Sequence, residues 1–125
     1  MIVVDTDILI WIFRGDIQIV EKFKKTVIES NGHVFITPIQ IIEIYSGMIN
    51  REEPNTIKFL ETLNTINIDR EIGMIAGDFV KKYRKSHNVT IADAITGASA
   101  KINGYKIWTL NKKHYPMFSR DEFVQ

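Results

Sequence analysis

The chain has 125 residues, 45% of them hydrophobic and 25% charged, with a formal net charge of +1. Those proportions belong to a soluble globular protein, and the length suits a single domain over residues 1–125 with its own core. With no cysteine, disulfides and thiolate metal sites are excluded; no apolar run approaches the ~18 residues of a membrane span, and no basic leader precedes the first one, so we expect a cytoplasmic protein without a signal peptide.

In chain order, residues 2–4 read as a strand that ends on Asp5, with Thr6-Asp7 opening a helix. Trp11, Phe13 and Arg14 follow that short helix, where they either flank a cleft or seat a partner; Trp11 is expected in the core. Val20, Phe23, Val27 and Ile28 repeat at helical spacing, and Asn31-Gly32 marks a turn before a strand at residues 34–37. Thr37-Pro38-Ile39-Gln40 then carries a capping Thr, a Pro at the first helical position and a reciprocating Gln.

In the helix that follows, at ~100° per residue, Ile41, Ile42, Ile44, Tyr45, Met48 and Ile49 fill a broad apolar arc. That helix is expected to be largely buried. Gln40, Glu43 and Gly47 share the remaining stripe, which either meets solvent or lines a cleft, with Gly47 allowing close approach. Residues 51–55, including Pro54, are expected to form an exposed link between two helices.

A strand is expected at residues 65–68, then a helix through Ile72, Ile75, Ala76, Phe79, Val80 and Tyr83. Thr90 and Asp93 have the spacing of a helix cap. Ala92, Ala94, Gly97, Ala98 and Ala100 make the next helix small-sided, able to pack tightly on a sheet. Asn103-Gly104 turns the chain into a last strand at residues 106–110, followed by Asn111 and His114.

Short strands with little polar alternation, separated by helices, imply an α/β three-layer sandwich with a mostly parallel central sheet. Right-handed crossovers bring the strands' C-terminal ends to one rim. Asp5, Thr37, Asp69 and Asn111 are therefore expected near that edge, where ligands of open parallel sheets settle.

Residues 79–114 hold eight cations (Lys81, Lys82, Arg84, Lys85, Lys101, Lys106, Lys112 and Lys113) against the single acid Asp93, so the rest of the chain is net acidic. That asymmetry permits contact with a polyanion along one face. Lys81, Lys82, Arg84 and Lys85 equally suit the wet side of a helix.

Asp5 either caps the helix after it or acts as a ligand, with Asp7 available for the capping. Asp93 suits a capping box, and the helix dipole keeps a carboxylate there ionised; capping and metal binding are compatible. Acids gathered in one cleft repel one another unless a cation lies between them. Oxygen donors with few nitrogens favour Mg²⁺ or Mn²⁺, and such a site with basic surroundings suits phosphodiester hydrolysis. Neither His33 nor His87 has a partner at zinc-ligand spacing. No Gly-rich phosphate loop is present.

Four segments in order, Ile2-Val3-Val4-Asp5-Thr6-Asp7, Ile42-Glu43-Ile44-Tyr45-Ser46-Gly47, Ile91-Ala92-Asp93-Ala94-Ile95 and Trp108-Thr109-Leu110-Asn111-Lys112-Lys113-His114-Tyr115, span nearly the whole chain. The set resembles the PIN-domain ribonucleases, and within them the VapC-type toxins of toxin–antitoxin pairs. The resemblance implies a PIN-like fold in which Asp5, Glu43 and Asp93 hold Mg²⁺ or Mn²⁺, with Asn111 in the catalytic set. It further implies cleavage of single-stranded RNA, homodimers and inhibition by a cognate antitoxin.

Substrate contacts are expected from Thr109, Lys112, Lys113 and Arg14. His114 stands where the most acidic form of the pattern has a fourth acid, which leaves a one- or two-metal arrangement open. Two alternatives accompany this reading. One is a PIN-like module that binds RNA or its partner with weak or no catalysis. The other is a phosphatase: Val4-Asp5-Thr6-Asp7 also resembles the haloacid dehalogenase opening, but Ile8-Leu9 follows it and Asp93 lacks an acidic neighbour.

Overall fold

Four short strands lie side by side, all parallel, in the order β3-β2-β1-β4. They are β1 (Ile2–Val4), β2 (Val34–Ile36), β3 (Asn64–Thr65) and β4 (Lys106–Trp108) in a computed structural model that describes residues 1–47 and 53–125. The helices are α1 (Thr6–Phe13), α2 (Ile17–Glu29), α3 (Pro38–Gly47), α4 (Glu53–Glu61), α5 (Arg70–His87) and α6 (Ile91–Asn103). The α/β sandwich expected from the sequence is therefore present. Chain order reverses around β1, whose neighbours are the second strand and the last.

Side chains alternate across the pleat and divide the interior in two. Val4, Val34, Ile36 and Trp108 face Ile8 and Leu9 of α1, Ile44 of α3 and Leu60 of α4. Val3 and Ile107 face the opposite way, onto Ala100 of α6 and the aromatic rings of Tyr115, Phe118 and Phe123. Outside α6, Ile72 and Ala76 of α5 pack against Ala94 and Ala98. Each fully buried branched side chain contributes about 1.5–3 kcal/mol. The small face of α6 makes the close layering possible: a Cβ on Gly97 would lie 3.4 Å from Phe118 and 3.5 Å from Tyr115.

Several expectations need correction. The third strand is Asn64–Thr65, not residues 65–68. The Ile66 amide makes one more bond to the Ile36 carbonyl (2.8 Å), after which Asp69 caps α5 by accepting from the Ile72 amide. The last strand stops at Trp108 because the Leu110 amide turns to the Asp7 carboxylate. Pro54 and Asn55 lie inside α4 instead of a link, while Arg51 lies outside the described residues, as do Met48 and Ile49 of the apolar arc.

Helix α3 is not largely buried. Ile42 is 61% and Tyr45 47% exposed, whereas Gln40 and Ile44 point inward. Gly47 is exposed, and among the described residues nothing lies within 4 Å of a Cβ built on it, so no backbone makes the close approach it allows. Trp11 is 39% exposed, stacked beneath the Arg14 guanidinium, and is not a core residue. Ile28 is exposed too.

Gln40 shows why a polar residue takes a core position. Its Oε1 accepts from the Thr37 amide (2.9 Å) and hydroxyl (2.8 Å), and its Nε2 donates to the Thr96 hydroxyl (2.9 Å). One side chain thus closes the cap of α3 and ties α3 to α6. Gln40→Ala strands the buried Thr37 amide, and we expect a loss of about 2–4 kcal/mol in urea unfolding. A loss below about 0.5 kcal/mol, the scatter of neutral surface changes, would contradict this role.

Candidate active site

Parallel register sets the ends of β1 and β4 side by side, with the Asp5 amide bonded to the Trp108 carbonyl (2.9 Å). The residues just beyond, Asp5 and Thr109, therefore meet at the rim where chain order reverses, the usual crevice of such sheets. Asp5 takes three hydrogen bonds. Its Oδ1 accepts from the Thr6 amide (2.8 Å), while Oδ2 accepts from the hydroxyls of Thr109 (2.9 Å) and Tyr115 (2.9 Å).

Two residues on, Asp7 is spent on architecture. Its Oδ1 accepts from the Ile8 amide (2.8 Å). Its Oδ2 takes the Leu110 amide (2.8 Å), the Thr109 hydroxyl (3.3 Å) and the Asn111 side-chain amide (3.3 Å). Three of these contacts gather on one oxygen, and the Thr109 hydroxyl has a single proton, shared with the nearer Asp5. Asp7 clamps the loop after β4 onto the start of α1.

Asp93 sits in the first turn of α6. Thr90 and Asp93 form the reciprocal capping box that their spacing suggested, at 3.1 and 3.3 Å. The cap uses Oδ2, which also faces Nδ1 of His114 at 3.6 Å, and Oδ1 accepts no hydrogen bond from the described residues. Glu43, exposed on α3, accepts from the Thr6 hydroxyl (2.7 Å) and so stands beside the residue that follows Asp5.

The two strand-end acids feel their setting. Burial pushes the Asp5 carboxyl above its ordinary value; the Asp93 charge adds to that, and the bonds from Thr6, Tyr115 and Thr109 oppose it. Burial, then the charge of Asp5, raises Asp7 in the same way. Tyr115 is pushed up as well, first by burial and then by the charge of Asp5, so its hydroxyl remains a donor.

Among the described residues no three His, Asp or Glu side chains converge as a ready-made metal site. A hard cation that keeps most of its water needs only one or two protein carboxylates. Asp5 and Asp93 meet that requirement, since each has an oxygen with an open position: Oδ1 holds one donor in Asp5 and none in Asp93.

The structure thus brings Asp5, Asp93, Thr109, Asn111 and His114 to one region, with Glu43 attached through Thr6. Lys112 and Lys113 are exposed in the 3₁₀ turn Lys112–His114 next to it. Asn111 differs from expectation in direction, because its side chain is turned to Asp7. Asp69 is occupied in capping α5. Arg14 caps the far end of α1, about 13.5 Å along the helix from Asp5. Lys81, Lys82, Arg84 and Lys85 are exposed on α5, in keeping with the wet side of a helix. Thr6, Asp7 as a clamp and Tyr115 were missed, although Thr6 and Asp7 share the opening motif with Asp5.

Residues 2–117 match the model of the PIN domain family. The chain belongs to the PIN-domain family. Among its relatives are ribonuclease VapC1 of Methanocaldococcus jannaschii, 32% identical over 91% of this chain and 78% of that protein, and ribonuclease VapC10 of Mycobacterium tuberculosis, 29% identical over 96% and 90%. A toxin–antitoxin complex from Klebsiella pneumoniae contains a chain that superposes with a TM-score of 0.79 at 25% identity, covering 100% of this PIN domain and 97% of that chain. VapBC2 from Rickettsia felis, at 14% identity and a TM-score of 0.74, shares the fold over 99% of this PIN domain and 96% of its own chain. These likenesses place this PIN domain among the VapC-type ribonucleases.

In this PIN domain a raised native pKa means that Asp5 binds its proton more readily folded than unfolded. Its charge therefore costs stability above the ordinary value of 3.8, increasingly so as pH rises through the native value, and costs nothing below 3.8. Asp5→Asn preserves the acceptor for Thr6 and removes that charge. Without added metal, the variant should melt a few degrees higher than wild type at pH 8, the gap closing toward pH 4 in differential scanning calorimetry. A variant less stable at pH 8 would contradict the assignment of burial as the dominant cause.

Proposed function

We propose that this chain is a metal-dependent endoribonuclease that cleaves single-stranded RNA with Mg²⁺ or Mn²⁺, and that it is the toxin of a toxin–antitoxin pair. The observation that carries the reading is the pairing of Asp5 and Asp93 at the sheet's C-terminal rim. Both carboxylates have an open oxygen, and the charge of Asp93 adds to the cost of ionising Asp5. A divalent cation between them would remove that cost.

Asp5 and Asp93 are the residues that would hold the ion, which when bound supplies an acidified water and neutralises charge developing on the phosphate. Glu43, held on α3 by the Thr6 hydroxyl and outside that pair, would orient the attacking water. Thr109 orients Asp5 by hydrogen bonding, and Asn111, through Asp7, fixes the loop that carries Lys112 and Lys113. Those two exposed lysines would meet RNA phosphates, Lys112 by leaving the Phe123 ring over which its ammonium lies. Asp7 is tied into the loop after β4 by the Leu110 amide and the Asn111 side chain, a structural role that supports the nuclease over the phosphatase alternative.

A partner surface adjoins the site. Ile10, Trp11 and Phe13 of α1 and Ile42 and Tyr45 of α3 are exposed on the helices that carry Thr6 and Glu43. This exposed apolar surface is the proposed seat of the antitoxin, and the proposed assembly is a homodimer of such complexes. The absence of a three-acid cluster among the described residues supports a second reading, a module that binds RNA with little catalysis.

The test is cleavage of single-stranded RNA by the purified chain. Activity should require Mg²⁺ or Mn²⁺, disappear in EDTA, and fall at least about a hundredfold in Asp5→Ala and in Asp93→Asn. Cleavage that persists in both variants would refute the proposal; metal-dependent RNA binding without cleavage would support the second reading.

A further inference from the structure

The geometry assigns a positioning role to Tyr115: with Thr109, its hydroxyl occupies Oδ2 of Asp5, so that Oδ1 alone is left to meet a cation. This rests on the nuclease reading above and names the residue that fixes its first carboxylate. Both hydroxyls lie 2.9 Å from the same oxygen, and the Thr6 amide takes one position on the other. Three of about four acceptor positions are therefore filled, and the single opening is on Oδ1. Asp5 would hold a cation through Oδ1.

Tyr115 is itself held firmly. It is 1% exposed, packs edge-on to Phe118 with ring centroids 6.0 Å apart, and lies against the bare Cα of Gly97. The 3₁₀ turn feeds it into place, its amide donating to the Lys112 carbonyl (3.0 Å). Phenylalanine would fill the same volume, so packing alone accounts for an aromatic ring but not for its hydroxyl. Without that hydroxyl, Oδ2 keeps one donor and the carboxylate is free to turn, presenting either oxygen.

The experiment compares wild type, Tyr115→Phe and Phe118→Leu. Phe118→Leu loosens the same packing while leaving the hydroxyl. Calorimetric titration with Mn²⁺ in the absence of RNA is set beside kcat, KM and melting temperature. Tyr115→Phe should bind Mn²⁺ about 10- to 100-fold more weakly and lose kcat to a similar degree, the usual range for a residue orienting a ligand. Its KM for RNA should stay within about twofold.

Phe118→Leu should melt lower yet bind Mn²⁺ as wild type does. Equal Mn²⁺ binding and kcat in Tyr115→Phe and wild type would overturn the assignment, as would Phe118→Leu weakening Mn²⁺ binding as much as Tyr115→Phe. Failure of the nuclease reading looks different: wild type itself would then bind no Mn²⁺, or bind it equally after Asp5→Asn, and the assignment would fall with it.

Discussion

The structure is organised around one carboxylate that a parallel sheet delivers to its own rim. Burying a charge is unfavourable unless hydrogen bonds and an opposite charge compensate. Asp5 has three donors, drawn from Thr6 next to it and from Thr109 and Tyr115 more than a hundred residues away. Among the described residues no basic side chain pairs with it, and Asp93 adds a second negative charge. The N-terminal strand, the last strand and the segment after it must all be in place before those donors converge. The fold thus imposes order on Asp5 and leaves its charge uncompensated, which is the condition a metal ion relieves.

Two acids in one motif take different roles because their lone pairs are filled differently. Asp7 gathers the Leu110 amide and the Asn111 side chain on one oxygen and serves as a clamp between α1 and the loop after β4. Asp5 and Asp93 retain open oxygens.

How much of this was legible depends on the range of the interaction involved. Strands β1, β2 and β4, the capping boxes at Thr37 and Thr90 and the small face of α6 all follow from neighbours within a few residues, and the sequence shows them. Helical angle put Glu43 on a stripe with Gln40, yet Gln40 is the more buried, because α3 is fixed by a polar bond to Thr96, 56 residues on. Periodicity cannot see that bond, and so exposed Ile42 and Tyr45 were misjudged. Tyr115 and the clamp of Asp7 rest on contacts across 102 to 110 residues. The bridge between Ile107 and Phe123, which covers the β4 edge, pairs a strand with irregular chain and has no pattern of its own.

The central claim is that Asp5 and Asp93 jointly bind one divalent cation. Crystals soaked in Mn²⁺ and recorded near the manganese absorption edge test it most directly. The account predicts an anomalous peak in contact with Oδ1 of Asp5 and with Asp93, absent from Asp5→Asn crystals treated alike. No peak at the rim, or one that touches neither Asp5 nor Asp93, would contradict it.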